Sequence, residues 1–341
     1  MRVVVCPADV GGCGFYRVIA PATVLKKQGL DIEIDYQSKS QVAIRKDGRI
    51  VSVKDTGRNI MVLQRPMMPD VVDGIPAIQA NGTKVVVEID DDFWSVDVKG
   101  RFFTTTRALG GSVDYLTKAC KMADMVTVST PTLAKLVPNK NVVVLRNYVP
   151  AYYLDVEANH GTGWEATEGK TVVGWAGSTQ THVGDIERMG YSLRTSVRKN
   201  DAKFFVIGAE DAWDIAGFDE GEALYSPWVD LIQYPMAVKT FDVGIVPLNL
   251  TRFNQCKSYL KGMEYASLGI PFVASPTDEY KLLASHGVGL LAPQKHDWLK
   301  QMNRVLSGDN TELIENGLAF ARENTYEKNA YKWAEAWASL L

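Results

Sequence analysis

Short apolar runs alternate along this chain with stretches whose apolar residues recur every three or four positions. That is the mixture expected of buried parallel strands joined by amphipathic helices. Residues 2–6 form the first such run and lead into a Gly-rich turn at 11–14. A helical pattern follows over 15–28, closed by Gly29, and 31–36 reads as a second strand. Residues 42–53 alternate around Lys46, Asp47 and Gly48, a hairpin signal. Residues 60–63 and 84–89 are two more buried runs. A helix over 115–122 leads into a strand at 125–128, and Thr130 and Pro131 open another helix. Residues 142–145 close this half. The stretch 155–170 is polar, contains glycine and is poor in apolar residues, as an interdomain linker would be. The strand series then restarts at 171–175, 203–207, 243–246, 270–274 and 289–292. The final stretch, 326–341, is helical. Tyr326, Ala330, Trp333, Trp337 and Leu340 fall on one face, an aromatic surface that must dock on something. Two successive strand–helix series predict an α/β protein of two Rossmann-like parallel-sheet domains facing a cleft.

Length agrees, since 341 residues exceed one ordinary core and suit two domains. The formal net charge of −3 gives no global footprint for nucleic acid or anionic lipid. The four cysteines, Cys6, Cys13, Cys120 and Cys256, show no CxxC spacing and read as free thiols of a reducing compartment. The four histidines are scattered, with no HExxH pair and no Cys/His cluster, which argues against structural zinc. The apolar run before Asp9 is too short for a secretory signal, and no apolar stretch reaches membrane-spanning length. A cytoplasmic enzyme or binding protein is the expectation.

Four motifs carry candidate chemistry. Gly11, Gly12 and Gly14 lie between the first strand and the first helix, where an open α/β sheet places an anion-binding turn. Arg17 falls where a dinucleotide fingerprint needs its third glycine, and no Gly-Lys-Ser/Thr follows, so neither that motif nor a P-loop is present. The readings left are a tight turn that needs glycine and an anion site with Arg17 in the adjacent helical turn. The second motif is Asp90, Asp91 and Asp92, at the C-terminal end of a buried strand. They could bind Mg²⁺, cap the next helix, or recognise sugar hydroxyls and stabilise charge; the last is favoured, with Asp90 and Asp91 as the acting residues. Third, residues 174–182 repeat the strand–glycine–helix design. Gly177 permits close approach of backbone to ligand, Ser178 and Thr179 can donate to phosphate, and His182 suits capping or packing better than catalysis. Fourth, Lys257, Lys261 and Glu264 are spaced four and three apart, so one continuous helix would put them on one face. A helix start near Lys257 and Ser258 would offer N–H groups to a diphosphate, and Glu264 could accept from ribose hydroxyls. The plain alternative is a solvated Lys–Glu pair.

In this order, the pieces resemble retaining nucleotide-sugar glycosyltransferases of the GT-B fold, specifically the glycosyltransferase family four group. The resemblance spans nearly the whole chain. It rests on Gly11 and Gly12, on Arg146 and Asn147 at the hinge, on residues 174–177, on 242–247, and most strongly on 257–275 with Glu264 and Pro271 at its centre. It implies domains of 1–155 and 165–321, with 322–341 crossing back onto the first. It also implies that Glu264 holds the donor ribose and that the loop around Gly208 and the stretch leading to Asp242 hold the base. Three departures stand out. Cys256 occupies the place of an earlier glutamate, no Arg/Lys diphosphate clamp follows Gly177, and Asp90 and Asp91 replace a histidine. Lys257, Lys261 and Arg17 are the expected substitutes for that clamp. The short chain with its Asp-rich stretch is also similar to bacteriophage glycosyltransferases.

The expected activity is therefore metal-independent transfer of a sugar from a nucleotide diphosphate to an acceptor, with retention of configuration and no cofactor beyond the donor. A sugar-nucleotide epimerase and a non-catalytic sugar-nucleotide-binding protein are the rival readings. Residues 99–107 interleave basic, aromatic and hydroxyl side chains, as a mobile acceptor loop would. The acceptor could be protein, modified DNA or glycan, and the negative net charge places protein ahead of DNA. The chain carries no signal for oligomeric state.

Overall fold

The apolar runs pair into two separate parallel sheets. A computed structural model describes residues 1–36, 43–46, 49–53, 57–95, 107–108, 110–158, 169–180, 183–219 and 221–341. The chain divides into two compact units, one of Met1–Tyr148, Cys256–Ser258 and Tyr326–Leu341, the other of Val149–Gln255 and Tyr259–Thr325. The division falls between Tyr148 and Val149, ahead of the polar 155–170 stretch, of which 159–168 lie outside the described residues.

In the first unit, the strands are β1 (Arg2–Cys6), β2 (Asp31–Ile34), the hairpin pair β3 (Ala43–Lys46) and β4 (Arg49–Val53), β5 (Ile60–Gln64), β6 (Lys84–Ile89), β7 (Met125–Val128) and β8 (Val142–Val144). The hairpin is antiparallel and separate. The other six strands form one parallel sheet in the order β2-β1-β5-β6-β7-β8. Val3, Val4 and Val5 are fully buried, as are all five residues of β5, because helices cover both faces of such a sheet. The chain runs from β1 outward to β2 and then returns to β5 on the other side of β1. The crevice at the ends of β1 and β5 is therefore the unit's switch point.

The helix after β1 is continuous from Gly12 to Lys27, but its Phe15–Ile19 stretch is wound as a π-helix. Gly29 ends it with φ of 97°, as the sequence requires. The C-terminal segment belongs to this same unit as two helices, Tyr326–Asn329 and Tyr331–Ala338. Tyr326, Ala330, Trp333 and Trp337 are buried, and Tyr148, Tyr326 and Trp333 pack edge to face.

In the second unit, β9 (Val172–Gly177), β10 (Lys203–Gly208), β11 (Ala223–Ser226), β12 (Val243–Val246), β13 (Phe272–Ala274) and β14 (Leu290–Leu291) make a parallel sheet in the order β11-β10-β9-β12-β13-β14. The switch point lies between β9 and β12. Phe204, Val206, Val243 and Ile245 join Leu193, Val197 and Trp298 of the flanking helices in one core. Each unit is thus a Rossmann-like parallel sheet, and the architecture is α/β. No helix among the described residues is long and apolar enough to cross a membrane.

Candidate functional site

In the second unit, two sequence candidates meet on the helix that precedes β13. This helix runs Leu260–Ser267 and puts Lys261 in its first turn and Glu264 in its second. Lys261 Nζ lies 2.9 Å from Glu264 Oε2 and 2.6 Å from the hydroxyl of Tyr234, which donates in turn to the same Oε2 at 3.0 Å. Glu264 is only 3% exposed and Lys261 is half-buried, so the pair is not that of an open, solvated helix face. Burial pushes the Tyr234 phenol well above its ordinary value, and Glu264 adds to that shift, so the hydroxyl remains a donor. Burial alone would lower Lys261, but Glu264 more than reverses this and holds it cationic.

At the end of β9, Gly177 lacks a side chain for a packing reason. A Cβ there would lie 2.6 Å from the indole of Trp175. Gly208, ending β10 with φ of 110°, lies beneath Trp228, whose ring is 2.6 Å from where a Cβ would stand. Trp228 is 55% exposed, an aromatic face at the strand ends that the sequence reading did not single out. Thr179 donates to Asp211. Ser178 also lies at the end of β9, while His182 is outside the described residues.

Across the switch point, buried Asp185 accepts from the Asn249 N–H at 2.7 Å and from Asn254 Nδ2 at 2.8 Å. Asn249 Nδ2 donates back to the Gly184 carbonyl. This lacing was also missed, because nothing in the local pattern marks Asp185 as buried. A cavity of about 540 Å³ borders Gly184 and Asn249, and Arg188, Lys295 and His296 line it too. Arg188 and Lys295 come from two separate stretches of the chain.

In the first unit, the structure corrects three geometrical expectations. Lys257 and Ser258 do not begin a helix shared with Lys261 and Glu264. A short helix, Arg252–Cys256, ends before them and the next begins at Leu260. The Cys256 carbonyl, which a continuous helix would use, accepts from Thr130 Oγ1 at 2.9 Å, and the Cys256 side chain is buried in the first unit's core. Lys257 Nζ instead lies 3.6 Å from Asp91, and Ser258 accepts from Asn147 Nδ2 at 2.7 Å.

Arg17 is the second correction. It lies in the π-helical stretch, is 1% exposed, and bonds Glu88 at 2.5 Å, the Leu145 carbonyl at 2.5 Å and Asn147 Oδ1 at 2.8 Å. It braces the ends of the chain's strands rather than facing an anion. Burial pushes the Glu88 carboxyl upward against the pull of Arg17. The third correction concerns Gly11, whose N–H donates to the side chain of Asp9. Gly12 opens the helix just beyond.

Asp90 is held by Arg65, whose guanidinium bonds both carboxylate oxygens, through Nε to Oδ1 at 2.7 Å and through Nη2 to Oδ2. Burial would raise the Asp90 carboxyl, but Arg65 holds it below the usual carboxylate range. Asp91 is the more open of the two, with its side chain 21% exposed against 10% for Asp90. Asp92 is fully buried and accepts from the Trp94 N–H in a local turn, so it is not the solvated helix cap that one reading of this cluster makes it. Arg65 was not legible in the sequence. Its signal is structural, a non-glycine φ of 47° at the end of β5, where strain tends to mark functional positions.

Against solved structures, the chain aligns over its whole length at low identity. Sucrose-phosphate synthase from Thermosynechococcus elongatus matches with a TM-score of 0.67 at 14% identity, covering 100% of this chain and 99% of that one. A glycosyltransferase from Rickettsia africae matches at 0.66 and 12%, covering 99% and 98%. Anabaena HepE, solved in complex with UDP, matches at 0.62 and 12%, covering 99% and 100%. No protein-family model and no curated protein matches the sequence.

Proposed function

We propose that this protein is a glycosyltransferase that moves a sugar from a nucleotide diphosphate to an acceptor hydroxyl, as a retaining enzyme of the family four type and of the kind found in bacteriophages. The observation that carries the reading is the cluster of Tyr234 with Lys261 and Glu264 of the helix that precedes β13, in a fold shared over full length with glycosyltransferases. The donor binds the second unit at the C-terminal edge of its sheet. Glu264 accepts from the ribose hydroxyls, and Ser178 at the end of β9 donates to phosphate. Gly177 shapes that strand end. Arg188 and Lys295, which line the cavity bordering Gly184 and Asn249, are the cations for the diphosphate. Trp228 offers the base a stacking surface beside Gly208. HepE, the neighbour in complex with UDP, makes uridine diphosphate sugars the first donors to test.

In the reaction, the bond between the anomeric carbon and the diphosphate oxygen breaks, and its electron pair leaves with the diphosphate. The acceptor oxygen bonds the same face of that carbon, and its proton passes to the departing diphosphate. Asp91, whose carboxylate is less enclosed than that of Asp90, is the group for developing positive charge on the sugar. Lys257 beside it tempers that charge at 3.6 Å. Asp90 serves through its ion pair with Arg65, and Arg17 serves as a brace.

The test is a thermal-shift panel across nucleotide sugars, followed by calorimetry on Glu264→Gln. Donor affinity should fall by about 1–3 kcal/mol, the cost of a lost charge-assisted hydrogen bond. Wild-type affinity in the folded variant ends the assignment. Mass spectrometry of donor alone and donor with cell extract separates transfer from epimerisation and from simple binding.

A further inference from the structure

We propose that Tyr234 is a positioning residue that, with Lys261, fixes the Glu264 carboxylate so that the donor site reads an intact ribose and discriminates against 2′-deoxyribose nucleotides. This rests on the reading of Glu264 as the acceptor for the ribose hydroxyls. Tyr234 donates to Glu264 Oε2 at 3.0 Å and accepts from Lys261 Nζ at 2.6 Å, and Lys261 reaches the same Oε2 at 2.9 Å. An ammonium has no acceptor, so Lys261 can only donate to the phenol oxygen, and it turns the single phenol proton toward Glu264. Two donors on one oxygen fix the rotation of the carboxylate.

The cluster is a poor device for stability. Tyr234 and Glu264 are both buried, so their polar groups lose water at a place where apolar side chains would hold the helix at less cost. Neither donor is lost near neutral pH, because burial lifts the Tyr234 phenol and Glu264 keeps Lys261 cationic. The position of the cluster suits binding. A helix that leads into a parallel strand starts at the C-terminal edge of the sheet, where open α/β sheets bind ligands. Lys261 and Glu264 occupy the first two turns of such a helix, Leu260–Ser267, ahead of β13.

A second observation ties Tyr234 to a nucleotide. Trp228 lies six positions earlier on the same segment and leaves its indole open above Gly208, at the end of β10. An open indole face suits the ring of a base. The turn between the two residues is set by Asp230. Its Oδ1 accepts from the Ile232 and Gln233 N–H groups at 3.0 and 2.9 Å, and its carbonyl accepts from the Tyr234 N–H at 2.9 Å. Pro235 then opens a short helix. One braced segment therefore carries both the surface for the base and the residue that aims the ribose acceptor, and base and ribose are covalently joined in the ligand. A nucleotide that lacks a ribose hydroxyl forfeits a charge-assisted hydrogen bond to a buried carboxylate, where such bonds are strongest. The donor class is therefore a ribonucleoside diphosphate sugar rather than its 2′-deoxy counterpart.

The experiment is calorimetry on the full chain with UDP, GDP and ADP, each beside its 2′-deoxy counterpart. The proteins are wild type, Tyr234→Phe and Lys261→Met. Tyr234→Phe keeps the ring that Lys261 lies over at 5.2 Å and loses only the hydroxyl. Wild type should favour the ribonucleotide of its preferred base about tenfold over the 2′-deoxy form, the scale of one charge-assisted hydrogen bond. Tyr234→Phe should erase most of that preference by weakening the ribonucleotide, with the 2′-deoxy form bound as in wild type. A Tyr234 that serves only the fold weakens both forms equally, and that result overturns the proposal. So does an undiminished preference in Tyr234→Phe, or a wild type indifferent to the 2′-hydroxyl. If Tyr234→Phe fails to fold, Lys261→Met at its half-buried position carries the same test, since it removes the other donor to Oε2. Failure of the glycosyltransferase reading shows separately, as a wild type that binds none of these nucleotides, and it withdraws this proposal with it.

Discussion

Arg17 illustrates what a residue's position and its partners each reveal. Its place at the start of the first helix was legible, but its partners Glu88, Leu145 and Asn147 lie 71, 128 and 130 residues further along. Motif spacing cannot register contacts at such separations. Removing one partner of a buried ion pair leaves the other charge without compensation. Arg17→Met should therefore cost about 3–5 kcal/mol of stability, measured by urea unfolding, while the folded fraction keeps its donor affinity. Adding Glu88→Leu should restore part of the loss, because the orphaned carboxylate is gone. An Arg17→Met protein as stable as wild type would remove the bracing role. Glu264 is the converse case. Its neighbour Lys261 was expected from i,i+3 spacing, whereas Tyr234, 30 residues earlier, entered only through the fold.

Elements were more legible than residues. The buried runs became strands at the expected places, and Gly29 ended the first helix. The helix expected near Lys257 failed because Thr130 and Asn147 claim the main chain and side chain there. At the start of β7, Asp124 shows how strands are joined by side chains. It accepts from the Val85 N–H at 2.9 Å, from Gln79 at 2.9 Å and from Lys84 at 3.2 Å. Burial raises its carboxyl, but the Val85 N–H, Gln79 and Lys84 together bring it below the ordinary value. A folded-state value below the unfolded one stabilises at neutral pH, and that contribution is lost as pH falls through the folded-state value. The Asp124→Asn variant should therefore unfold at lower urea than wild type at pH 7, and the gap should close as pH falls below the ordinary carboxylate range. A gap that persists unchanged in acid would show that the charge is not what holds these strands.

For the whole molecule, the central expectation concerns how the diphosphate's charge is met. Arg188 and Lys295 are cationic side chains that line one cavity of the second unit, and two such groups can neutralise a diphosphate without a divalent ion. Transfer should therefore proceed unchanged in excess EDTA. Complete loss of transfer, restored by Mg²⁺ or Mn²⁺, would put a metal in the mechanism and return Asp91 to the ligand reading. The acceptor loop expected at 99–107 lies largely outside the described residues, 107 alone excepted.

The sequence by itself determined two parallel α/β units, because strand burial and helix periodicity are written in neighbouring residues. It also placed glycines and carboxylates directly after the apolar runs, at the strand ends. Tertiary structure alone decided which polar groups are available there. Asp9 takes the glycine amides, Arg65 takes Asp90, Glu88 takes Arg17, and Tyr234 joins Lys261 and Glu264. Hydrogen bonds and ion pairs reach only a few ångströms, so which charge meets which depends on strand order and chain reversal, and these bring together residues that no local pattern connects.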